Sequence, residues 1–184
     1  VTKTPEPQGK RFMNPTARTC FFLGFLACTA MLVIAAHFQF VEGLEPCPLC
    51  ISQRMMVLVV GLTMLVAAVQ NPAATGIRIY SLTTLFFSLF GTAIAGRHVW
   101  LQSLPPEEVP ECGPGLAYIF EHFPLSRAVE LLLNGTGECA EVQWTFLGLN
   151  MPGWTLIGFL LLGLLGGLQY QNTPITDQAE VKLS

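Results

Sequence analysis

The chain has 184 residues, of which 52% are hydrophobic and only 11% charged, with a formal net charge of −3. Soluble domains carry about 25% charged residues, so this composition, with a mean hydropathy of +0.53, excludes an ordinary water-soluble fold and points to an integral membrane protein. The small net charge, with no basic cluster beyond the N-terminal arm, excludes nucleic acid as a partner.

Residues 1–18 form a polar arm with Lys3, Lys10, Arg11 and Arg18, interrupted by Pro5, Pro7 and Pro15. An apolar run over 19–37 predicts the first transmembrane helix, because about 20 apolar residues span a hydrocarbon core of about 30 Å. It is too long for the apolar core of a signal peptide, about 7–15 residues, and lacks a small-x-small cleavage site. Cys20 and Cys28 fall in this run. Their spacing puts them about 12 Å apart along a helix, beyond the roughly 7 Å that a disulfide tolerates, so they read as packing residues.

A turn over 38–49 carries Glu42 and Glu45. The second span is expected over 50–69 and ends at Asn71-Pro72, since the residue before proline leaves the helical region. The third, over 77–96, starts beside Arg78 and stops at Arg97-His98, with Trp100 beyond as an interfacial anchor. Gly91 with Ala95, and Gly163 with Gly167 in the fourth span over 153–170, are small-xxx-small steps suited to close helix packing. Between these spans, residues 97–152 form one long polar loop holding Cys112, Cys139 and most of the acidic residues. Within it, Ser126 to Leu133 reads as a short amphipathic surface helix capped by Ser126 and stopped by Gly135. Residues 171–184 are a polar tail. The expected fold is therefore all-α: a four-transmembrane-helix bundle with a long loop carrying a short surface helix.

Four spans put both termini on one side. That side has the basic arm, Arg78 and Lys182, whereas nine of the twelve acidic residues fall on the other. The positive-inside rule places the termini in the cytoplasm. Cys47, Cys50, Cys112 and Cys139 then face outward, which in a bacterium is the oxidising periplasm.

Glu45-Pro46-Cys47-Pro48-Leu49-Cys50-Ile51-Ser52-Gln53-Arg54 joins the first loop to the second span. Pro48 suits the first position of a helix, which makes Cys47 the N-cap and puts Cys50 in the first turn. Unpaired N–H groups and the helix dipole favour negative charge at this end. Cys47, Cys50 and Arg54 recur at helical spacing and share one face. A Cys-x-x-Cys pair alone serves a redox centre, a zinc half-site or a static disulfide. Two outward pairs on one membrane bundle favour a relay by thiol–disulfide exchange, with a lipid-soluble quinone as the electron acceptor. Arg54 could hold a quinone oxygen, because a charge this close to an apolar span is functional by default. His98, at the same depth, could supply a proton or hydrogen bond to the quinone.

The chain resembles the DsbB family of bacterial disulfide-generating membrane proteins. The resemblance covers about residues 18–170 and rests on Cys47-Pro48-Leu49-Cys50-Ile51 with Arg54, on Cys112, and on the run from Cys139-Ala140-Glu141-Val142-Gln143-Trp144 through Thr145-Phe146-Leu147-Gly148-Leu149-Asn150-Met151-Pro152. It implies a multi-pass protein of the bacterial inner membrane that reoxidises a periplasmic thioredoxin-fold dithiol oxidase, DsbA, and passes the electrons to ubiquinone or menaquinone. It also implies that Cys112 takes the mixed disulfide with DsbA, that Cys139 resolves it and exchanges with Cys47, and that Cys50 is the thiolate beside the quinone. Arg54 matches the family's quinone-contacting arginine in spacing, and His98 its quinone-proximal histidine with a one-residue gap in the following loop. No role carries over to Cys20 or Cys28. In vitamin K epoxide reductase-like enzymes the loop cysteines precede the Cys-x-x-Cys, whereas here Cys47 and Cys50 come first. A metal-binding protein using Cys47, Cys50 and His98, and a structural protein with static disulfides, are the readings of a different class.

Overall fold

The computed structural model describes residues 15–105, 107–109 and 135–173. Cys112 and the surface helix expected over Ser126 to Leu133 lie outside the described residues, as do most of the N-terminal arm and the C-terminal tail. Among the described residues four helices carry the fold: α1 Pro15–Phe40, α2 Pro48–Gln70, α3 Ala74–Gln102 and α4 Met151–Asn172. Each is long and apolar enough to cross a membrane, as the composition requires. The chain is thus a multi-pass, all-α membrane protein.

Three helix ends have a clear local cause. Cys47 caps α2 in extended backbone, its sulfur accepting the Cys50 N–H, and Pro48 fills the first position without costing a hydrogen bond. At the other end Asn71 turns left-handed at φ 44° and its N–H closes on Ala67 O. Asn150 caps α4, its side-chain oxygen accepting the Gly153 N–H at 3.0 Å. Helix α3 runs past the expected edge of its span to Gln102. Arg97 and His98 mark the depth at which charge appears, but neither residue type stops backbone hydrogen bonding, so the helix continues.

The bundle is apolar on both sides. Phe21, Val60, Met64, Ala67 and Phe159 are buried, while Phe22, Val33, Leu62, Phe86 and Leu161 are exposed around the outside. Lipid leaves no hydrophobic drive for helix association, so close approach at small residues must hold the helices together. The α3–α4 seam meets that demand. A Cβ on Gly91 would fall 2.4 Å from the Phe159 ring, one on Gly166 3.0 Å from Ser81 O, and one on Gly163 3.4 Å from Ser88 Cβ. Gly167, expected to pair with Gly163, faces open space; Gly166 takes its place.

Packing follows chain order: α3 lies against α4, α2 against both α1 and α3, while α1 meets α4 only sparsely. The bundle is therefore least closed along the α1–α4 seam. At the Cys47 end a second small core of Cys47, Leu49, Ile94, Leu101 and Cys139 ties α2 and α3 to the long loop. The loop returns through Gly135, at φ 79°, where an added Cβ would fall 2.7 Å from Leu49 Cδ1 and 2.9 Å from Leu101 Cδ1. Only glycine combines that backbone conformation with so close an approach. A single 3-10 turn over Gly137–Ala140 follows. Then β1, Thr145–Phe146, pairs antiparallel with β2, Leu149–Asn150, through a turn in which Leu147 and Gly148 have φ 52° and 78°. Positive φ at both central residues is the two-residue hairpin turn that matches strand twist.

Candidate functional site

The N-terminal turn of α2 is enclosed by three other segments. Cys139, 1% exposed on its 3-10 turn, hydrogen-bonds with Cys47 and accepts the backbone N–H groups of Leu49 and Thr136. The Cys47 sulfur donates to Cys50 Sγ at 3.0 Å. It also lies 3.8 Å from His98 Nε2 on α3. Three thiols and an imidazole thus meet at the end of one helix, and Cys47 is the sulfur common to all the contacts.

Charge on these sulfurs is unequal. Cys47 donates toward Cys139 and Cys50 and is buried, and all of this raises its pKa well above the ordinary thiol value. Cys139 receives the hydrogen bond from Cys47 and two from the backbone, which outweigh its burial and bring it down to about 6. With all three sulfurs reduced, the proton therefore stays on Cys47 and negative charge favours Cys139.

His98 is 2% exposed and its orientation is fixed from behind. Gln53 Nε2 lies 2.9 Å from His98 Nδ1, and Gln53 is itself 4% exposed. The amide as oriented donates to Nδ1 and turns the Nε2–H toward Cys47. The reversed amide accepts from Nδ1–H and leaves the Nε2 lone pair toward Cys47. Gln53 can therefore support either tautomer without moving the ring.

Arg54 points the other way. It crosses to the last turns of α1, donating to Gln39 Oε1 and, at 3.1 Å, to Ala35 O. Beside it an apolar cleft of about 440 Å³ is lined by Cys50, Gln53 and Arg54 of α2, by Leu32, Ala35 and Phe38 of α1, and by residues of α4 such as Thr155 and Leu161. The cleft occupies the outer end of the loose α1–α4 seam. The exposed Ile34, Ile157 and Leu161 on its rim face the lipid side. Its roof is aromatic: Trp144 lies 4.9 Å from Phe38 and stacks on Phe146 at 5.8 Å, and Trp154 donates to Phe146 O at 3.2 Å. The hairpin is pinned in turn, with Asn150 donating to Gln102 Oε1 and Gln102 to Glu141 O.

A second, smaller cavity of about 30 Å³ lies on the water side, lined by Cys47, Cys50, His98, Gln102 and Glu138 among others. Cys50 borders both spaces. Of the residues read from the sequence, Cys47, Cys50, Cys139, Arg54 and His98 are brought to one place, and Cys112 is outside the described residues. They divide between the two sides: Arg54 lines the apolar cleft, whereas His98 lines the small cavity and faces Cys47. Sequence reasoning passed over Gln53, Gln39, Trp144 and Phe146. A polar residue in the first turns of an otherwise apolar span was the one signal available for Gln53; Gln39, in the last turn of α1, had none.

Cys20 and Cys28 stand apart. Cys28 is 1% exposed and packs beneath Gly61, and Cys20 is half-buried. Cys28 belongs to the bundle interior.

The family model described as "Disulfide bond formation protein DsbB" matches residues 17–169. A protein named disulfide bond formation protein B from Methylococcus capsulatus is 61% identical over 158 residues, covering 86% of this chain and 96% of its own. Its namesake from Nitrosococcus oceani is 55% identical, over 88% and 95% of the two chains. One from Hahella chejuensis is 52% identical, over 79% and 88%. The match takes in all four helices, the Cys47–Cys50 turn and the Cys139 loop, and by it the chain belongs to the DsbB family of membrane oxidoreductases that generate disulfides in the periplasm.

Proposed function

We propose that this protein reoxidises a periplasmic DsbA-type thioredoxin-fold dithiol oxidase by thiol–disulfide exchange and passes the electrons to a membrane quinone, ubiquinone or menaquinone. The observation that carries the reading is the position of Cys50, which borders the small cavity on one side and the apolar cleft beside Arg54 on the other.

The exchange is local. With Cys47 and Cys50 joined, the Cys139 thiolate attacks Cys47, the Cys47–Cys50 bond breaks, a Cys47–Cys139 bond forms, and Cys50 leaves as a thiolate facing the cleft. Cys139 packs against Cys47 in the same small core, which puts the attacking sulfur beside its target and supports this order. Cys112 is then the site of the mixed disulfide with the partner. Partner attack on Cys112 of the loop disulfide is what frees Cys139; the partner's second cysteine then breaks the mixed disulfide and leaves oxidised, and the Cys112 thiolate so released attacks Cys139, which returns Cys47 as a thiol and restores the loop disulfide.

The cleft suits a quinone head group. It is apolar, roofed by Trp144 and Phe146, and provides one guanidinium, whose hold on Gln39 and Ala35 fixes it in place. A quinone bound there supplies the two-electron acceptor that returns Cys47 and Cys50 to a disulfide. Arg54 orients the ring by hydrogen bonding, the aromatic roof excludes water, and His98 steadies Cys47 from the opposite side. The distribution of basic residues supports an inner-membrane orientation with both termini cytoplasmic.

The test is oxidation of a reduced DsbA-type protein by the purified chain in detergent, with and without added quinone. Turnover should require quinone, collapse in Cys50→Ser, and need a higher quinone concentration in Arg54→Ala. A quinone-loaded, folded protein that oxidises nothing would overturn the proposal.

A further inference from the structure

We propose that the reduced protein holds a thiophilic divalent cation of the zinc class on Cys47, Cys50 and His98, and that this site exists only while the Cys47–Cys50 disulfide is open. The inference goes beyond the quinone reading and does not depend on it.

The three ligand atoms all lie within 4.8 Å of one another. Metal–sulfur bonds of about 2.3 Å and metal–nitrogen bonds of about 2.0–2.1 Å at tetrahedral angles place sulfurs about 3.8 Å apart and sulfur and nitrogen about 3.6 Å apart. Cys47 Sγ and His98 Nε2 already stand 3.8 Å apart. The two sulfurs, at 3.0 Å, open by about 0.8 Å to reach the spacing of such a site, and Cys50 and His98, within 4.8 Å of each other, close by about 1.2 Å at most, both side-chain adjustments.

A second observation concerns the far side of the imidazole. Metal-bound histidines nearly always have their other ring nitrogen held by a hydrogen bond, which fixes tautomer and ring plane. Here Gln53 holds His98 Nδ1 at 2.9 Å, and with its oxygen toward the ring it accepts the Nδ1–H and leaves the Nε2 lone pair toward Cys47. Burial protects the centre, since Cys47 and His98 are 8% and 2% exposed. The small cavity beside Glu138 and Gln102 gives a route in and room for a water as fourth ligand.

The balance is simple. Two thiols lose their protons to solvent, two metal–sulfur bonds form, and no electron moves. Metal and disulfide use the same two sulfurs and exclude each other. Zinc-class cations would therefore capture the enzyme between turnovers, withdrawing the dithiol from exchange, and reoxidation would expel them.

The experiment titrates Co2+ into the full-length, fully reduced protein in detergent, followed by absorbance. The expected result is one equivalent bound, with thiolate-to-metal charge-transfer absorbance, strong tetrahedral visible bands, and displacement by Zn2+. The oxidised protein should give none of this. A Cys20→Ala/Cys28→Ala protein should keep the spectrum, Cys50→Ser should lose the two-thiolate charge-transfer intensity, and His98→Ala should shift the visible bands. Gln53→Leu should weaken binding by roughly 10- to 100-fold, as loss of an outer-shell partner does. A measurement on the unaltered protein guards against variants that fail to fold: Zn2+ should protect Cys47 and Cys50 from alkylation. Equal spectra in oxidised and reduced protein, a spectrum that survives Cys50→Ser, or no protection from alkylation would each overturn the proposal.

Discussion

Gln53 on α2 and His98 on α3 meet at 2.9 Å in the interior, and the contact turns the opposite edge of the imidazole toward the Cys47 sulfur. Both residues are almost wholly buried, so the contact offsets part of the desolvation of each, with the Cys139 backbone as a further partner for His98. Removing one partner should leave the other unsatisfied, at about 1–3 kcal/mol. Gln53→Leu is therefore expected to lower thermal stability in detergent by that amount, and a double Gln53→Leu/His98→Leu variant to recover part of it. A double variant no more stable than the single one would show the pair to be energetically idle.

The α3–α4 seam should be intolerant of volume at one position. Gly91→Ala puts a methyl 2.4 Å from the Phe159 ring, and overpacking of this kind costs about 1–3 kcal/mol. Phe159→Leu should suppress the loss. Gly167→Ala, which meets nothing within 4 Å, should be neutral or slightly stabilising. Thermal unfolding of the three variants in one detergent separates the cases.

The aromatic roof should matter for the cleft and little for the thiols. Trp144 stacks on Phe146 and touches Phe38, and an aromatic pair contributes about 0.5–1.5 kcal/mol beyond burial. Trp144→Ala should raise the quinone concentration for half-maximal turnover by roughly 2- to 12-fold. The rate of Cys139–Cys47 exchange, measured in a single turnover without quinone, should change less. The opposite split would place Trp144 with the thiols.

Thiol titration offers a direct check on the charge pattern. Hydrogen bonds from Cys47 and the backbone bring Cys139 down to about 6, well below the ordinary thiol range. The Cys139 thiolate is thus present above about pH 6 and is lost as the pH falls through that value. In the reduced protein, the ultraviolet thiolate absorbance missing from Cys139→Ser should titrate near 6. In Cys47→Ala, which loses the largest contribution, the midpoint should move upward. An unchanged midpoint would assign the effect to the backbone donors of Leu49 and Thr136.

Much of the helical frame was legible because apolar length is a strong signal in a membrane protein, and Cys47-Pro48 announced the start of α2 by its cap and first-turn chemistry. Which face each helix turns inward was not, since these helices are apolar all round and carry no moment to read. Gly166 rather than Gly167 lies in the seam for that reason: one residue is a rotation of about 100°, and sequence spacing does not set its origin. The hairpin at Leu147-Gly148 escaped because two-residue strands are too short to alternate. At the site, residue type singled out Cys47, Cys50, Arg54 and His98 as candidates. It could not tell that Arg54 and His98 point to opposite sides of the cysteine pair, because that depends on how α1 and α3 close around α2.

The sparse contact between α1 and α4 leaves the cleft beside Cys50 open sideways. A molecule reaching Cys50 by that door travels in two dimensions, and its supply is set by how many share each unit of membrane area. Adding inert lipid at fixed amounts of protein and acceptor should therefore slow arrival at Cys50 by simple dilution within the sheet, while exchange between Cys139 and Cys47, which is internal to the chain, is left alone.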